Sequence, residues 1–274
     1  MWFAGLLPDE ALLHGFTGPG FGLECAGVVS AVGEGVSDLR PGQRVVAVAP
    51  EALATHAVTK RHAVLAIPDG VGFEGAATLP VAFLTAVYGL GRLARLEEGE
   101  RVLIHGGAGG VGLAAVQYAQ HKGAEIFATA GSPAKRELLR RLGVAQVFDS
   151  RSAAFADDVL AATGGEGVDV VLNSLSDELM QQSLRLLRPF GRFVEIGKRD
   201  LFGDTQIGLR PLRHNASYFA VDVDQLASLK PAVAKALFGE IEGLLAEGAL
   251  RPLPHRTFAF DAVTDAFRLM QGSG

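Results

Sequence analysis

Short apolar runs alternate with helix-length amphipathic stretches through the middle of the chain. Runs of this length, separated by helices, are typical of parallel strands in right-handed βαβ units. Six such strands complete a doubly wound, dinucleotide-binding (Rossmann) sheet, so the sequence predicts an α/β fold of this kind. The predicted strands are 102–104, 125–130, 144–148, 168–173, 192–196 and 217–221.

The flanking regions have different patterns. Short strands separated by Gly and Pro turns are predicted at 23–32, 44–49, 55–58 and 64–67, which is typical of a small barrel or sandwich. The stretch 73–93 has a helical pattern, interrupted near Pro80. After the sheet, a helix at 229–245, a strand-like stretch at 254–260 and a last helix at 262–270 are predicted to return to the first domain. We therefore expect a substrate domain at 1–80, a nucleotide-binding domain at 81–228 and a returning segment at 229–274.

A glycine-rich turn lies between the strand at 102–104 and the helix after it. Gly107, Gly109 and Gly112 fit the pattern G-x-G-x-x-G in the strand–turn–helix context that a dinucleotide-binding loop needs. Glycines at these places permit a tight turn, close approach of a pyrophosphate and close packing of the helix on the strand. The helix N-terminus would bind the pyrophosphate through its free N–H groups. The predicted loop is Gly107, Ala108, Gly109, Gly110, Val111 and Gly112.

The residues after the second strand of the sheet indicate which nucleotide binds. An enzyme that uses NAD usually has Asp or Glu there for the ribose 2′-hydroxyl. This chain instead has Ser132, with Lys135 and Arg136 one turn later and Arg151 just past the third strand. A hydroxyl and cations suit a 2′-phosphate, which favours NADPH. The alternative is that these cations only form the solvated face of a helix.

Composition excludes several classes of function. The chain of 274 residues has a net charge of −5 and no lysine-rich run, so neither a nucleic acid nor an anionic membrane is expected as a partner. No apolar run is predicted to be long enough to span a bilayer. The one cysteine, Cys25, suits a reducing compartment, and we expect the protein to be cytoplasmic.

Several stretches resemble the medium-chain dehydrogenase/reductase superfamily. Three of them are specific for the zinc-free branch formed by the enoyl reductase domains of polyketide synthases and animal-type fatty acid synthases. The general stretches are 23–29 (LECAGVV), 40–45 (RPGQRV) and 77–82 (ATLPVA); the specific ones are 105–112 (HGGAGGVG), 171–175 (VLNSL) and 187–198 (LRPFGRFVEIGK).

The resemblance implies a partial GroES-like β-rich first domain and an NADPH-dependent enoyl reductase. Its substrate would be an enoyl thioester on an acyl carrier protein, within a polyketide or fatty acid synthase whose other domains would be partners. Monomer and homodimer stay open. The family begins several strands before Met1 and ends one strand after Gly274, so an incomplete first domain is expected. Members that set one stereochemistry at a methyl branch have tyrosine where this chain has Leu7, which argues against that subtype.

The resemblance and the strand order together indicate the catalytic residues. Lys198 and Asp222 directly follow the fifth and sixth strands, so their side chains are expected within reach of each other. In the enoyl reductases that this chain resembles, the matching lysine and aspartate are the proposed proton-donor pair. The alternative is a surface ion pair without effect on rate. Tyr218 is a weaker candidate, expected to pack in its strand.

The nicotinamide is expected at the carboxyl ends of the fourth and fifth strands, because open α/β sheets bind ligands there. The residues are Asn173, Ser174, Leu175, Ile196 and Gly197. Thr85 lies in the segment that the family places nearby. Its alternative role is a hydroxyl satisfied within its own helix.

Other chemistries are less well supported by the residues. Relatives with catalytic zinc have Gly-His-Glu where this chain has Gly22-Leu23-Glu24, so no metal site is expected and Glu24 is interpreted as structural. Cys25 is interpreted as a small buried residue, and His105 as a core or positioning residue. Two alternatives stay open: a free-standing NADPH:quinone oxidoreductase of the same superfamily, and a non-enzymatic cofactor-binding protein.

Overall fold

The structure is a computed structural model that describes residues 15–272. Its strands are β1 (Glu24–Val28), β2 (Arg44–Val48), β3 (Val64–Ala66), β4 (Arg101–Ile104), β5 (Glu125–Ala130), β6 (Gln146–Asp149), β7 (Val168–Asn173), β8 (Leu187–Glu195) and β9 (Ser217–Ala220). The last six form one parallel sheet in the order β6-β5-β4-β7-β8-β9. This is the 3-2-1-4-5-6 order of a dinucleotide-binding sheet, which confirms the predicted doubly wound α/β fold.

Ten α-helices are described in residues 15–272. They are α1 (Phe73–Ala76), α2 (Pro80–Ala86), α3 (Gly110–His121), α4 (Pro133–Arg141), α5 (Phe155–Ala162), α6 (Asp177–Arg185), α7 (Arg199–Phe202), α8 (Asp224–Leu229), α9 (Pro231–Ala246) and α10 (Val263–Gly272). A π-helix, Val87–Leu93, continues α2 without a break.

Both faces of the large sheet are buried, which explains why its strands have continuous apolar runs rather than alternating ones. Side chains on one face of the sheet, such as Ile104, pack against α3 and against the helical run formed by α2 and the π-helix. Side chains on the opposite face, such as Leu103 and Phe193, pack against α5 and α6. The alternation follows from the two-residue period of a strand.

The first domain contributes a three-stranded antiparallel sheet in the order β1-β2-β3. Gly27 lies inside β1, as predicted, but the strand ends at Val28 instead of continuing to residue 32. The predicted strand at 55–58 is wrong: that stretch has no strand pairing, and Val58 is 87% exposed. Strands are stabilised largely by side-chain packing against their neighbours, and a side chain as exposed as Val58 contributes little of it.

The helical run 73–93 connects the two sheets. The expectation that no apolar run is long enough to span a bilayer is wrong by length and composition, because Phe73–Leu93 has 21 residues and the mean hydropathy of a spanning helix. However, 67% of its most apolar 18-residue part is buried inside the protein. Leu84, Val87 and Leu90 lie in the same core as the sheet, so the stretch packs as a core helix.

Helix α9, in the C-terminal part of the chain, packs against β3 and the 3₁₀ turn Arg61–Ala63. The predicted helix at 229–245 is two helices, because Lys230 has non-helical backbone angles and Pro231 begins α9 at its first position. Proline disfavours helical geometry in the residue before it. The strand-like interpretation of 254–260 is also wrong, since no described strand pairs with it.

Strand β8 begins at Leu187, five residues before its predicted start. Helix α6, which precedes this strand, ends at Arg185. Phe190, in the middle of this extension, has a left-handed φ of 63° and is 67% exposed. Pairing of Leu187 with Val168 of β7 places the start of this segment in the sheet, and the register shifts between Val168 and Val170.

Candidate active site

The glycine turn joins β4 to α3 at the carboxyl edge of the large sheet. Gly106 has a left-handed φ of 60°, which favours glycine, and the Gly109 N–H donates to its carbonyl at 2.8 Å. Gly109 is the N-cap residue of α3, and no side chain caps that helix. The N–H groups of its first turn therefore have no partner within the helix and are the donors that an anion at this place would meet.

Close packing excludes a side chain at Gly112 and leaves little room for one at Gly107. A Cβ on Gly112 would lie 2.2 Å from the Gly106 carbonyl oxygen and 2.6 Å from the Gly107 Cα. A Cβ on Gly107 would lie 3.1 Å from the Ala128 Cβ of β5. The cradle for a pyrophosphate is thus formed by backbone brought too close for side chains, and the residues fit the predicted cofactor.

His105 fixes the base of this turn. Its ring is 2% exposed, with Nδ1 2.9 Å from the Thr129 hydroxyl and Nε2 2.8 Å from that of Ser183. Ser183 uses its own proton on the Leu179 carbonyl, so it must accept from Nε2–H, and the Thr129 hydroxyl donates to Nδ1. Burial lowers the pKa of His105 to about 3, so the ring is neutral. The interpretation of His105 as a core, positioning residue agrees with this geometry.

Of the four residues named for a 2′-phosphate, Ser132, Lys135 and Arg151 are the three predicted to bind it, and they follow the ends of β5 and β6. Ser132 is the N-cap of α4, and its hydroxyl accepts from the Lys135 N–H at 3.3 Å. The Arg151 guanidinium lies over Gly131, where an added Cβ would be 3.0 Å from Nε. Arg136 lies at the same strand ends: its guanidinium donates to the Ala130 carbonyl and pairs with Asp149, each at 3.0 Å.

The ends of β7 and β8 are joined by a buried carboxyl that no sequence pattern singled out. Glu195 pairs with Asn173 in register, and its side chain accepts from Asn173 Nδ2 and from the Gly197 N–H, both at 2.6 Å. Burial raises the pKa of Glu195 to about 7. The hydrogen bonds from Asn173 and Gly197 act in the opposite direction but have the smaller effect. The signal available in the sequence was an acid at the end of an apolar strand run.

Among the predicted nicotinamide residues at the strand ends, Ser174 lies next to the glycine turn, and the others end or follow β7 and β8. Ser174 is exposed beside that turn, since a Cβ on Gly106 would lie 3.3 Å from the Ser174 hydroxyl. A Cβ on Gly197 would lie 3.8 Å from the Ser174 carbonyl carbon. Leu175 is held by Asn173 through its N–H and its carbonyl, and the Ile196 N–H donates to the Asn173 carbonyl at 3.0 Å.

Thr85 is buried in α2, and its hydroxyl donates to the Val81 carbonyl one turn earlier at 2.7 Å. This is the hydrogen bond within its own helix that the alternative interpretation expected. A role for Thr85 at the cofactor stays a prediction.

Lys198 and Asp222 lie side by side at the same edge of the sheet. The Lys198 Nζ is 2.9 Å from Asp222 Oδ2, and each side chain is about a quarter exposed (27% and 23%). Asp222 also accepts from the Asp224 N–H at 3.2 Å and from Gln225 Nε2 at 3.3 Å. The predicted proximity is therefore present, with a carboxylate that also accepts from the first residues of α8 and an ammonium that is partly exposed.

Tyr218 and Cys25 have no comparable placement. The Tyr218 ring stacks on Phe193 at 5.3 Å, and burial raises its pKa, so it packs in the sheet as expected. Cys25 is half-buried in β1 rather than fully buried, and burial raises the pKa of its thiol, which opposes a role as a nucleophile. Leu7, on which the stereochemical subtype depends, lies outside the described residues.

Glu24 connects the small sheet to the core helix. Its Oε2 accepts from the Val81 N–H at 2.8 Å, at the N-terminus of α2. Burial raises the pKa of Glu24 to about 7, against this hydrogen bond, which lowers it. Within residues 15–272, no group of three or more His, Cys, Asp or Glu side chains is gathered that could hold a metal ion.

Comparison with known proteins agrees with this geometry. The family model for the alcohol dehydrogenase GroES-like domain matches residues 13–87, and the model for zinc-binding dehydrogenases matches residues 110–234. The crystal structure of the CurK enoyl reductase is 45% identical, has a TM-score of 0.82 and covers 92% of this chain and 76% of its own. The chain belongs to the enoyl reductase domains of polyketide synthases, within the medium-chain dehydrogenase/reductase superfamily.

This enoyl reductase domain has relatives in much longer proteins. It is 46% identical over 270 residues to a phenolphthiocerol/phthiocerol polyketide synthase of Mycobacterium tuberculosis, covering 98% of this chain and 12% of that protein. It thus spans about an eighth of the length of such relatives. The native structure of mycobacterial Rv1454c complexed with NADPH is 27% identical, with a TM-score of 0.80, covering 91% of this chain and 77% of its own. These findings support an oxidoreductase that uses a nicotinamide cofactor.

Proposed function

We propose that this domain catalyses the NADPH-dependent reduction of the α,β double bond of an enoyl thioester carried on an acyl carrier protein. The observation that carries the proposal is the 2.9 Å contact between Lys198 and Asp222 at the sheet edge that also holds the glycine turn. An acid at that edge is what enoyl reduction requires and what a cofactor-binding protein without catalysis would not need.

The cofactor would be held by three groups of residues. The backbone of Gly107, Ala108, Gly109, Gly110, Val111 and Gly112 would bind the pyrophosphate. Ser132, Lys135 and Arg151 would bind the 2′-phosphate through charge-assisted hydrogen bonds. Asn173, Ser174, Leu175, Ile196, Gly197 and Thr85 would hold the nicotinamide. When bound, NADPH supplies the hydride.

The chain's own residues would supply the proton and stabilise charge. Reduction adds a hydride at the β-carbon and a proton at the α-carbon, and negative charge develops on the thioester oxygen between the two events. The Lys198 ammonium would stabilise this charge or donate the proton. Asp222 would orient the ammonium through the 2.9 Å contact and favour its return to the charged form.

We assign substrate binding to the part of the chain with the small sheet and NADPH binding to the part with the large sheet. Residues 1–80 would form the substrate domain, 81–228 the NADPH-binding domain, and 229–274 the segment that returns to the first. The thioester would enter between the two domains, where such pockets usually lie. The other synthase domains would be partners, because the relatives are parts of long synthases, and the reaction would take place in the cytoplasm.

The proposed reaction needs no zinc. Leu23 stands where relatives with catalytic zinc have histidine, and the neighbouring Glu24 carboxyl is already bonded to the Val81 N–H. Three protein ligands are the usual minimum of a catalytic zinc site.

The test is NADPH oxidation by the purified protein with crotonyl and longer enoyl thioesters, beside quinones. We expect turnover with thioesters, and we expect Lys198→Ala to lower thioester reduction far more than any residual quinone reduction. Arg141→Ala, which removes an exposed helix-surface ion pair with Glu137, is the matched control. Oxidation of NADPH with quinones but with no enoyl thioester would instead support the quinone oxidoreductase.

A further inference from the structure

We propose that Glu195 is a positioning residue that fixes the two strand ends facing the nicotinamide. Its carboxyl is 1% exposed and spans the gap between β7 and β8. Oε2 accepts from Asn173 Nδ2 at 2.6 Å, and Oε1 accepts from the Gly197 N–H at 2.6 Å. The inference rests on the proposed cofactor, since it concerns the residues proposed to hold the nicotinamide.

Through these two hydrogen bonds, the Glu195 carboxyl positions the residues that follow β7 and those that follow β8. Asn173 Nδ2 also donates to the Leu175 carbonyl at 2.7 Å, and Asn173 Oδ1 accepts from the Leu175 N–H at 3.2 Å. The position of 173–175 therefore depends on an amide that Glu195 holds. The Gly197 N–H, on the other oxygen, is one residue before Lys198.

The main chain of Glu195 extends the same junction to a third strand. Its carbonyl accepts from the Val221 N–H at 2.9 Å, directly before Asp222. Both members of the Lys198–Asp222 pair thus follow residues that hydrogen-bond to Glu195. A Cβ on Gly197 would lie 2.8 Å from Glu195 Oε1, so the carboxyl also occupies the space that a side chain there would need.

A carboxyl is a costly group for this place if folding alone is considered. Burying a charged or polar group costs free energy unless its partners compensate, and apolar residues often replace such groups at no loss of stability. A carboxylate, however, can accept on two oxygens at once, whereas a carboxamide has one acceptor oxygen and one donor NH₂. With N–H donors on both sides, only the carboxylate satisfies Asn173 and Gly197 together.

The experiment compares NADPH with 2′-phospho-ADP-ribose, which has the phosphates and ribose but no nicotinamide. Calorimetry would give Kd for each ligand with wild type and with Glu195→Gln. We expect NADPH to bind at least fivefold more weakly to Glu195→Gln and the fragment to stay within twofold. Glu240→Gln, whose carboxyl accepts from the Tyr118 hydroxyl, is the matched control and should change neither Kd. An unchanged ratio of the two Kd values in Glu195→Gln would overturn the inference.

A second variant tests the donor–acceptor pattern itself. Adding Asn173→Asp to Glu195→Gln lets the glutamine NH₂ donate to the new carboxylate while its oxygen accepts from Gly197. The hydrogen bond from Asn173 to the Leu175 carbonyl is lost in this double variant, so we expect only partial recovery. The logarithm of the ratio of the two Kd values should return at least halfway to the wild-type value. No recovery, in a double variant with a normal melting transition, would also overturn it.

The outcome is separable from that of the proposed function. If Glu195→Gln does not fold, Glu195→Asp keeps both acceptor oxygens but is one methylene too short to reach Asn173 and Gly197 together, and it should give the same selective loss of NADPH affinity; an unchanged ratio there would overturn the inference. Failure of wild type to reduce any enoyl thioester would refute the proposed reaction and leave the binding comparison valid. With active wild type, we expect kcat of Glu195→Gln to fall at least tenfold and KM for the thioester to stay within threefold.

Discussion

The Lys198 ammonium and the Asp222 carboxylate lie 2.9 Å apart at the carboxyl ends of two neighbouring parallel strands, β8 and β9. The contact arises from topology, because parallel pairing of Val194 with Phe219 and of Glu195 with Ala220 brings the following residues to one edge. Ion pairs of this exposure contribute about 0–1 kcal/mol to stability. In its proposed role as proton donor, the Lys198–Asp222 pair would contribute about 10²–10⁴-fold to the rate of enoyl thioester reduction.

We predict that Lys198→Ala and Asp222→Ala each lower kcat for enoyl thioester reduction by about 10²-fold, within the range of general acid catalysis. The double variant should be close to Lys198→Ala alone, because Asp222 acts through the lysine. Steady-state kinetics measures the effect, and NADPH affinity measured separately should change little. A double variant that keeps most of its turnover would place the proton donor elsewhere.

NADPH preference should depend on the cations after β5 and β6. We expect Lys135→Ala and Arg151→Ala each to weaken NADPH binding by about tenfold, since a charge-assisted hydrogen bond contributes about 1.5–3 kcal/mol. NADH affinity should barely move. Arg141→Ala is the matched control, because that guanidinium lies on the same helix as Lys135 and pairs with Glu137 on the exposed surface, at 3.0 Å. Equal weakening of both cofactors in the Lys135→Ala, Arg151→Ala pair would contradict the assignment.

The pKa of Glu24, raised by burial to about 7, makes stability depend on pH. Between the ordinary value of 4.5 and about 7, the folded state holds a proton that the unfolded state has lost. Stability from this group is therefore present below pH 4.5 and lost as the pH rises to about 7. Glu24→Gln, which can still accept from the Val81 N–H, has no such proton.

We therefore expect Glu24→Gln to gain about 1–3 kcal/mol relative to wild type between about pH 5 and pH 7. Urea unfolding of both proteins across this range measures the difference. Parallel curves for the two proteins would show that Glu24 titrates at its ordinary pKa in the folded state.

The glycine turn should tolerate a methyl group at one position and not at another. Gly112→Ala places a Cβ 2.2 Å from the Gly106 oxygen, so we expect a loss of about 3 kcal/mol, as for an overpacked core. A Cβ on Gly110 has nothing within 4 Å, so Gly110→Ala should leave stability nearly unchanged. Melting temperatures of the two variants measure this, and similar losses would show that the helix can shift away from the turn.

The sequence by itself determined the large sheet and the meeting of Lys198 with Asp222 at its edge. Glycine spacing, the Ser132-Pro133 helix start and apolar runs bounded by turns are local signals, and each depends on residues a few positions apart. Once the strands are known, the parallel order places their carboxyl ends at one edge. That is why Lys198 and Asp222 could be paired from the sequence.

Only the tertiary structure decided which polar groups meet. Glu195 and Asn173 are 22 residues apart, and Glu24 and Val81 are 57 apart, so no local pattern indicates their hydrogen bonds. The same applies to the wrong strands at 55–58 and 254–260, because a strand exists only where a distant segment supplies its hydrogen-bond partners. Periodicity encodes which face of an element is buried, whereas the partner of a buried carboxyl is set by how those faces come together.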